Sequence, residues 1–268
     1  MKAIDFHIHV NFSDDDLRKI AKKVGVKFSA KGLEEEMKKN GVEVAVAISY
    51  PNEEDWKNVI NLARKLPLYP VLGINVNKIQ MNKLKKYLKH AIGVKIYLGY
   101  DYIFPNDKKL VKIYKLIEKM KKLVIFHTGD TLYSWAKLKY AHPLNVDEVA
   151  VDFPDMKIVI AHAGIPWIRD TAEVVNKNEN VYTDISGWFE TEDEFKSFYA
   201  KIIQKDLKFL IEYCGEEKIL YGTDWPLIRM GSYLKFLKST KLKQSTLRKI
   251  LWENGKELLS NVSFNFKD

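Results

Sequence analysis

Eight short runs of aliphatic and β-branched residues recur along the chain, and segments with the apolar spacing of helices separate them. The predicted strands are residues 4–10, 42–48, 68–74, 91–97, 123–126, 157–161, 181–185 and 219–221. The predicted helices are residues 14–24, 33–39, 53–66, 79–88, 110–120, 146–153, 168–176, 195–213 and 246–259. Strands that alternate with helices are typical of a parallel sheet whose connections are right-handed crossovers.

Eight such units in a chain of 268 residues predict an α/β fold, a closed (β/α)8 or TIM barrel, because barrels of this kind need about 250 residues. We expect residues 1–268 to form a single domain. An open doubly wound sheet is the alternative. Such a sheet commonly binds a nucleotide through a glycine-rich first turn, and the sequence contains neither GxGxxG nor GxxxxGK[ST].

The composition predicts a cytoplasmic protein with no membrane partner. No apolar run approaches the roughly 18 residues that span a bilayer, the chain enters a strand without room for a signal peptide, and the single cysteine, Cys214, excludes an intrachain disulfide. The net charge of +9 comes from lysines spread over many helical segments. That spread is typical of solvated helix faces, so we predict no nucleic-acid partner. A homodimer is the candidate assembly, since dimers are the common default.

Histidines and an aspartate stand where the predicted strands end. Apolar and polar residues alternate along the first strand, so His7 and His9 are expected to project from one face. His127 ends the fifth strand, His162 ends the sixth, and Asp224 follows the eighth. Since all strands of a (β/α)8 barrel end at one face, where the active site is built, these side chains are predicted to meet at one mouth.

These residue types suit a metal ion. Three imidazoles and one carboxylate form a good site for Zn²⁺, with Mn, Fe or Ni as alternatives. If one coordination position stays open, a bound water has its pKa lowered to about 7 and supplies hydroxide. Asp224 then either binds the metal or takes the proton, and His162 either protonates a leaving group or steadies a developing oxyanion. Taken alone, each residue also has a structural explanation, such as Asp224 as a cap.

Further side chains are expected near the same mouth. Lys95 lies near the end of the fourth strand and either pairs with a carboxylate, binds an anionic substrate or, if carboxylated, bridges two metals. His142, in the loop after the fifth strand, is a candidate to reach the pocket, and Asp184 is a hydrogen-bond partner rather than a ligand. Aromatic residues that follow strand ends either line a substrate pocket or serve packing alone: Tyr97, Tyr100, Trp188 and Trp225.

Five segments resemble the amidohydrolase superfamily, in particular its amidohydrolase-related (amidohydrolase-2) branch, which includes enzymes similar to aminocarboxymuconate-semialdehyde decarboxylase. The segments are HIH at 7–9, FPDMK at 153–157, VIAHAG at 159–164, LYGTDWP at 220–226 and WENGKELL at 252–259. The resemblance implies one divalent metal held by His7, His9, His127 and Asp224, and an acid/base role for His162.

The branch contains both hydrolases and decarboxylases, so more than one function stays open. The leading hypothesis is a metal-dependent hydrolase of a small carbonyl substrate, an amide, ester or lactone, because many decarboxylases of the branch carry Glu where this chain has His7. The alternative is a non-oxidative decarboxylase of an aromatic or unsaturated carboxylic acid, with Lys95 or Arg169 holding the carboxylate. A third hypothesis is a non-catalytic scaffold whose four protein ligands close the metal site.

Overall fold

The computed structural model describes residues 1–264, and eight parallel strands form one sheet in chain order. The strands are β1 Ala3–His9, β2 Val42–Ile48, β3 Leu68–Ile74, β4 Gly93–Ile96, β5 Leu123–Phe126, β6 Lys157–Ile160, β7 Val181–Asp184 and β8 Ile219–Leu220. Each strand pairs with the next, so that Val71 lies opposite Gly93 and Gly93 lies opposite Leu123. Every predicted strand is therefore present, within two residues of its predicted ends.

The sheet closes where the residues around β8 return to β1. The amide of Phe6 donates to the carbonyl of Tyr221 and the amide of His9 donates to that of Trp225, both over 2.7 Å. Ile8 and Trp225 form a parallel bridge. These bonds satisfy backbone groups that an open edge would expose. The eight strands thus form a nearly closed TIM barrel, and the predicted fold class is confirmed.

Helices connect successive strands along the outside of the barrel. The α-helices are α1 Asp15–Val24, α2 Ala30–Asn40, α3 Glu53–Ala63, α4 Met81–Tyr87, α5 Leu98–Asp101, α6 Lys108–Lys119, α7 Leu138–Ala141, α8 Asp147–Asp152, α9 Ile168–Lys177, α10 Phe198–Cys214, α11 Met230–Ser239, α12 Gln244–Arg248 and α13 Asn254–Ser260. Short 3₁₀ turns lie at Leu88–His90, Pro143–Val146, Ala161–Gly164, Glu194–Lys196 and Glu216–Lys218. Among the described residues, no helix combines the length and the apolar character that crossing a membrane requires.

Local sequence explains where the helices begin and end. At the start of α1, the carboxylate of Asp14 accepts a hydrogen bond from the amide of Leu17 over 2.7 Å. Gly25 ends α1 at φ 79°, a left-handed conformation that glycine adopts without a Cβ clash.

The strands bury two apolar layers, one on each side of the sheet. The inner core fills the barrel and comprises Ile4, Phe6, Val46, Ile48, Val71, Ile92, Leu123, Ile125, Val159, Ala161, Tyr182, Leu220, Leu258, Leu259 and Val262. The outer core contains the alternate strand residues and the apolar faces of the helices. Because side chains alternate along a strand, each strand residue can be assigned to the inside or the outside of the barrel.

Strand β1 departs from the simple alternation that the sequence predicts. Ile4 and Phe6 belong to the inner core, whereas Ile8 packs in the outer core. The register of β1 against β2 shifts between Asp5 and Ile8, and the carboxylate of Asp5 accepts a hydrogen bond from the amide of His7 over 3.2 Å. A local irregularity of this kind re-aims the side chains that follow it.

The loops and the C-terminal segment hold the other departures. The short helices α5 and α7 and the longer α11 were not predicted, because the first two are single turns and the third follows a loop rich in turn residues. The predicted helix 246–259 is divided into α12, a π-helical turn at Lys249–Glu253, and α13. After this turn, the side-chain Nδ2 of Asn254 donates to the carbonyls of Glu216 and Ile219, each over 2.7 Å.

Candidate active site

Strand parity directs polar side chains into the barrel at its C-terminal end. On β4, Val94 and Ile96 pack in the outer core, so Lys95 between them projects inward. The same reasoning turns His127 inward after β5 and Asp184 inward on β7. Lys95 and Asp184 are at most 1% exposed, and His127 is 9% exposed.

His7 is held at both ring nitrogens. Its Nδ1 donates to Asp184 Oδ2 over 2.9 Å, which fixes the tautomer with the proton on Nδ1. Its Nε2 therefore presents a lone pair, and Lys95 Nζ donates to it over 2.6 Å. A carboxylate behind an imidazole is the arrangement that orients histidine ligands toward metal ions.

His9 and Asp224 complete a group of convergent ligand atoms with His7. Asp224 Oδ1 lies 3.2 Å from His9 Nε2 and 3.7 Å from His7 Nε2. The three side chains offer one nitrogen or oxygen each, and these atoms all lie within 4.8 Å of one another. Within residues 1–264, Asp224 Oδ1 is buried and has no hydrogen-bond partner. A buried carboxylate oxygen without a partner, facing two imidazole nitrogens, fits a bound cation.

His162 lies beside this group in an unusual backbone conformation. It follows β6 at φ 61°, its amide donates to Asp184 Oδ1 over 3.1 Å, and its carbonyl accepts from Trp188 Nε1 over 2.7 Å. Its ring centroid lies 4.7 Å from that of His7. The strained turn is thus fixed on both sides and holds the imidazole at the mouth.

A second chain of contacts runs through His162 to His127. Ser186 Oγ donates to Asp184 Oδ1 over 2.5 Å and lies 2.9 Å from His162 Nδ1. His162 Nε2 lies 3.2 Å from His127 Nδ1, and His127 Nε2 lies 3.1 Å from the carbonyl of Asp130. The outer partners at both ends are acceptors.

Two neutral imidazoles carry only two protons for these three contacts. If the outer nitrogens donate to Ser186 and Asp130, the facing nitrogens of His127 and His162 have no proton between them. A bound cation or an additional proton satisfies such a pair. His127 does not belong to the group of ligand atoms formed by His7, His9 and Asp224; it adjoins that group through His162.

Burial and mutual charge set the protonation of the site. Burial, followed by the neighbouring charge of His7, lowers the pKa of His162 to about 4. Burial, followed by the charge of His162, holds the pKa of His127 well below its usual value. Burial also lowers the pKa of Lys95 to about 8, although Asp224 and Asp184 oppose that shift.

The pKa values of the two carboxyl groups, Asp184 and Asp224, are lowered as well, which keeps these groups ionised. Burial alone would raise the pKa of Asp184, but the charge of His7 and hydrogen bonds from His7 and Ser186 keep it below its usual range. For Asp224, burial is likewise outweighed by the contact with His9 and by the charges of His7 and His162. Neutral imidazoles next to ionised carboxylates form the donor set that a divalent cation requires.

These side chains open into a cavity of about 860 Å³. His9, Lys95, His127, His162 and Asp224 all line it. The loops after the strands supply the rest of the lining, including the following aromatic residues: Tyr50, Tyr97, Tyr100, Tyr133, Trp135 and Phe189. A cavity of this size, with apolar walls and a few convergent polar groups, is typical of a small-molecule site.

The structure places four candidates away from this cavity. His142 lies 3.6 Å from Asp170 on the surface of the loop region and packs against Trp167. Trp188 and Trp225 are at most 1% exposed; the indole of Trp188 donates to His162 and that of Trp225 to Glu36 over 3.1 Å. Both tryptophans thus serve packing, and Trp188 positions the backbone of a site residue. The guanidinium of Arg169 lies over the ring of Phe209, 4.3 Å from its centroid.

A family model described as Amidohydrolase (Amidohydro_2) matches residues 4–260. The chain belongs to this family. A curated relative, the gamma-resorcylate decarboxylase of a Polaromonas species, is 26% identical over 126 residues, covering 40% of this chain and 35% of that protein. The match therefore spans about a third of the relative's length. The resemblance to the amidohydrolase-2 branch is confirmed.

Solved structures share the fold of this chain over nearly its whole length. An uncharacterised TIM-barrel protein from Bordetella bronchiseptica has a TM-score of 0.77 at 22% identity, covering 97% of this chain and 99% of that chain. An amidohydrolase from Burkholderia multivorans with bound Zn has a TM-score of 0.75 at 14% identity with the same coverage. A probable 2-pyrone-4,6-dicarboxylic acid hydrolase from Acinetobacter baumannii has a TM-score of 0.70 at 17% identity, covering 97% and 100%.

Sequence reasoning missed two residues that shape the candidate site. Ser186 links Asp184 to His162, and Gly187 adopts φ 65° so close to the site that a Cβ there would lie 2.7 Å from His162 Nδ1. The signal for both was the segment Asp184-Ile185-Ser186-Gly187, in which a strand-ending aspartate is followed by a small hydroxyl residue and a glycine.

Proposed function

We propose that this amidohydrolase is a metal-dependent hydrolase of a small, uncharged carbonyl compound, such as an amide, an ester or a lactone. The observation that supports the proposal most strongly is the unpartnered Asp224 Oδ1, which lies between two imidazole nitrogens at a large cavity. His7, His9 and Asp224 would hold one divalent ion, with Zn²⁺ as the first choice and Mn, Fe or Ni as alternatives. Because His7 Nε2 has a single lone pair, a bound ion would displace Lys95 Nζ from its contact with that nitrogen. Lys95 is then the candidate for a second ion or for the substrate.

When bound there, the ion would polarise the substrate carbonyl and lower the pKa of water. Asp224 lies at the cavity surface and would accept the proton that the attacking water loses. The pKa of about 4 makes His162 neutral near pH 7. With its single proton on Nδ1 directed to Ser186, a neutral His162 presents the lone pair of Nε2, so it would accept a proton during the reaction rather than donate one from an imidazolium.

The charges that line the cavity favour an uncharged substrate. Lys23 and Lys95 are the lysines among the described lining residues. The carboxylates of the lining are more numerous: Asp101, Asp130, Glu190, Glu192, Asp193 and Asp224. Arg229, which pairs with Glu192, neutralises one of them. With Lys23, Lys95, Arg229 and a bound divalent ion set against these six carboxylates, the lining keeps a net charge of about −1. This small negative excess favours an uncharged substrate, and so hydrolysis, by a small margin.

A non-oxidative decarboxylase of an aromatic acid is the second candidate. The sequence match to gamma-resorcylate decarboxylase is the observation that favours it. Lys95 would then hold the substrate carboxylate, because the other proposed cation, Arg169, packs on Phe209.

The test compares the wild type with Asp224→Asn, using metal-loaded protein and a panel of phenyl acetate, small lactones and 2,6-dihydroxybenzoate. We expect net hydrolysis of a neutral member of the panel, and a loss of about 10²–10⁴ in turnover for Asp224→Asn with an unchanged circular dichroism spectrum. Asp170→Asn, at an exposed position, is the control. Undiminished turnover in Asp224→Asn would reject the mechanism, and release of CO₂ without uptake of water would assign the second candidate.

A further inference from the structure

Asp224 has a backbone conformation that its neighbours on both sides must hold. Its φ is 61°, in the left-handed region that residues other than glycine seldom adopt. On the N-terminal side, Thr223 is bound to the carboxylate of Asp5 through both its amide and its hydroxyl. On the C-terminal side lies Trp225, which is completely buried. The position of the Asp224 carboxylate therefore depends on how firmly Trp225 is fixed.

Trp225 is connected to two of the candidate metal ligands. It follows Asp224 directly in the chain, and its carbonyl accepts a hydrogen bond from the amide of His9 over 2.7 Å. Its ring packs against Phe28 at 5.4 Å between centroids and against Phe12 at 6.4 Å. A shift of Trp225 would therefore move Asp224 and His9 together.

A carboxylate from another part of the barrel binds the indole of Trp225. Glu36, on α2, is half-buried; its Oε2 accepts from Trp225 Nε1 over 3.1 Å, and its Oε1 accepts from the amide of Met230 over 2.9 Å. Met230 is the first residue of α11, so Glu36 also caps that helix. The side chain of the preceding residue, Arg229, makes no capping hydrogen bond within residues 1–264. One carboxylate thus binds both ends of the segment 225–230, which follows the candidate ligand.

We infer that Glu36 is a positioning residue for the candidate metal centre. Through the indole of Trp225 it holds Asp224 and His9 in the arrangement that a cation would bind. Hydrogen bonds to an ionised carboxylate are stronger than those between neutral groups, and removing the partners behind metal ligands usually weakens metal binding. A carboxylate that only capped α11 would stabilise the fold without changing the affinity for the ion. The inference rests on the metal site of the proposed function, but not on the reaction at that site.

The experiment measures the affinity for Zn²⁺ by competition with a chromogenic chelator. Glu36→Ala should lower the affinity about tenfold, the lower end of the usual range for groups behind metal ligands, because Glu36 acts through one further residue. Trp225→Phe removes the indole N–H, keeps an aromatic ring, and should lower the affinity as well. Since Glu36 acts through Trp225, the double variant should bind Zn²⁺ within about twofold of the weaker single variant.

Asp107→Ala is the matched control, because it removes another carboxylate that caps a helix. Asp107 accepts from the amide of Lys109, in the first turn of α6, over 2.9 Å, and it lies outside the cavity lining. Both Glu36→Ala and Asp107→Ala should lower the melting temperature by about 2–4 °C, and only Glu36→Ala should lose affinity for Zn²⁺. Glu36→Gln, with one acceptor oxygen for the two donors, should show a smaller loss and replaces Glu36→Ala if that variant does not fold.

The inference is overturned if the Glu36 variant keeps the wild-type affinity for Zn²⁺, if Asp107→Ala loses as much, or if the losses of the two single variants add in the double variant. A wild type that binds no Zn²⁺ would overturn both the inference and the proposed function. A wild type that binds Zn²⁺, depends on Glu36 for its affinity and hydrolyses no carbonyl compound would leave the inference standing and reject the proposed function alone.

Discussion

His7 shows how one side chain is prepared for its role by groups on distant strands. Asp184, on β7, accepts a hydrogen bond from Nδ1, and this interaction turns Nε2 toward His9 and Asp224. The same carboxylate accepts from the amide of His162 and from Ser186. Asp184 therefore organises both imidazoles at once, which explains why an ionised carboxylate is buried so completely.

Asp184→Asn should weaken metal binding by about 10–100-fold, the usual effect of removing a carboxylate behind a histidine ligand. The side chain of Asn has one acceptor oxygen where the Asp184 carboxylate has two, so it cannot accept hydrogen bonds from His7 Nδ1 and from the His162 backbone amide together. The imidazole of His7 then loses its fixed orientation. Competition with a chromogenic chelator measures the affinity for Zn²⁺. Asp170→Asn should retain wild-type affinity, and an equal loss in the two variants would contradict this role.

At the same scale, sequence reasoning located His7, His9, Lys95 and the strand-end residues. It also predicted Asp184 as a hydrogen-bond partner, but it did not predict the contacts made by Lys95 and Ser186. Strand parity depends on the chain alone, so the inward positions could be read from alternation. The contact of Lys95 with His7 and the link through Ser186 depend on how loops from different strands pack together. No spacing within one segment encodes those distances.

The elements that matter most for the site are the turns after β6 and β7. His162 and Ala163 adopt φ of 61° and 45°, and Gly187 adopts φ of 65°. In Gly187 the missing side chain also makes room, because a Cβ would lie 2.7 Å from His162 Nδ1 and 3.2 Å from Asp224 Oδ2. The backbone of the turn after β7 therefore lies in close contact with the side chains of the candidate metal centre.

Gly187→Ala should impair the site more than the fold. The left-handed conformation costs an alanine about 1–2 kcal/mol, and the added methyl group also displaces His162. Gly25 has φ 79° with no atom within 4 Å of a built Cβ, so Gly25→Ala imposes similar strain without the clash. Urea unfolding should show similar stability losses for the two variants, and only Gly187→Ala should lose metal affinity. Equal metal affinity in the two variants would contradict the claim that a methyl group at position 187 displaces His162.

The number and order of the strands followed from the sequence because each strand is a short apolar run bounded by turn residues. The irregularity in β1 was missed, since Asp5, His7 and His9 alternate in sequence as they would in a regular strand. The sequence also left the surroundings of Trp188 and Trp225 undetermined. An aromatic residue after a strand end has the same sequence pattern whether it packs in the core or lines a pocket.

For the whole molecule, Asp5 connects the first and last strands of the barrel. Its carboxylate accepts from Thr223 Oγ1 over 2.6 Å and from the Thr223 amide over 3.0 Å. Burial raises the pKa of Asp5 to about 7, although these hydrogen bonds oppose the rise. The hydrogen bonds between Asp5 and Thr223 that help to close the barrel therefore depend on the protonation state of the Asp5 carboxyl group.

Because the pKa of Asp5 is higher in the folded than in the unfolded chain, its contribution to stability is complete below about pH 4 and is lost as the pH rises toward 7. Asp5→Asn, which stays neutral, should gain stability relative to the wild type between pH 5 and pH 8, by about 2 kcal/mol. Urea unfolding at the two pH values measures this difference. The exposed Asp155→Asn is the control, and a difference independent of pH would contradict the linkage.

The barrel as a whole brings His7, His9 and Asp224 from opposite ends of the chain to one point. Anomalous diffraction from crystals grown with Zn²⁺ tests this claim most directly. The account predicts one strong peak within about 2–2.5 Å of a His7 nitrogen, a His9 nitrogen and an Asp224 oxygen. A fully loaded protein whose peak lies elsewhere, or that shows no peak at these residues, would contradict it.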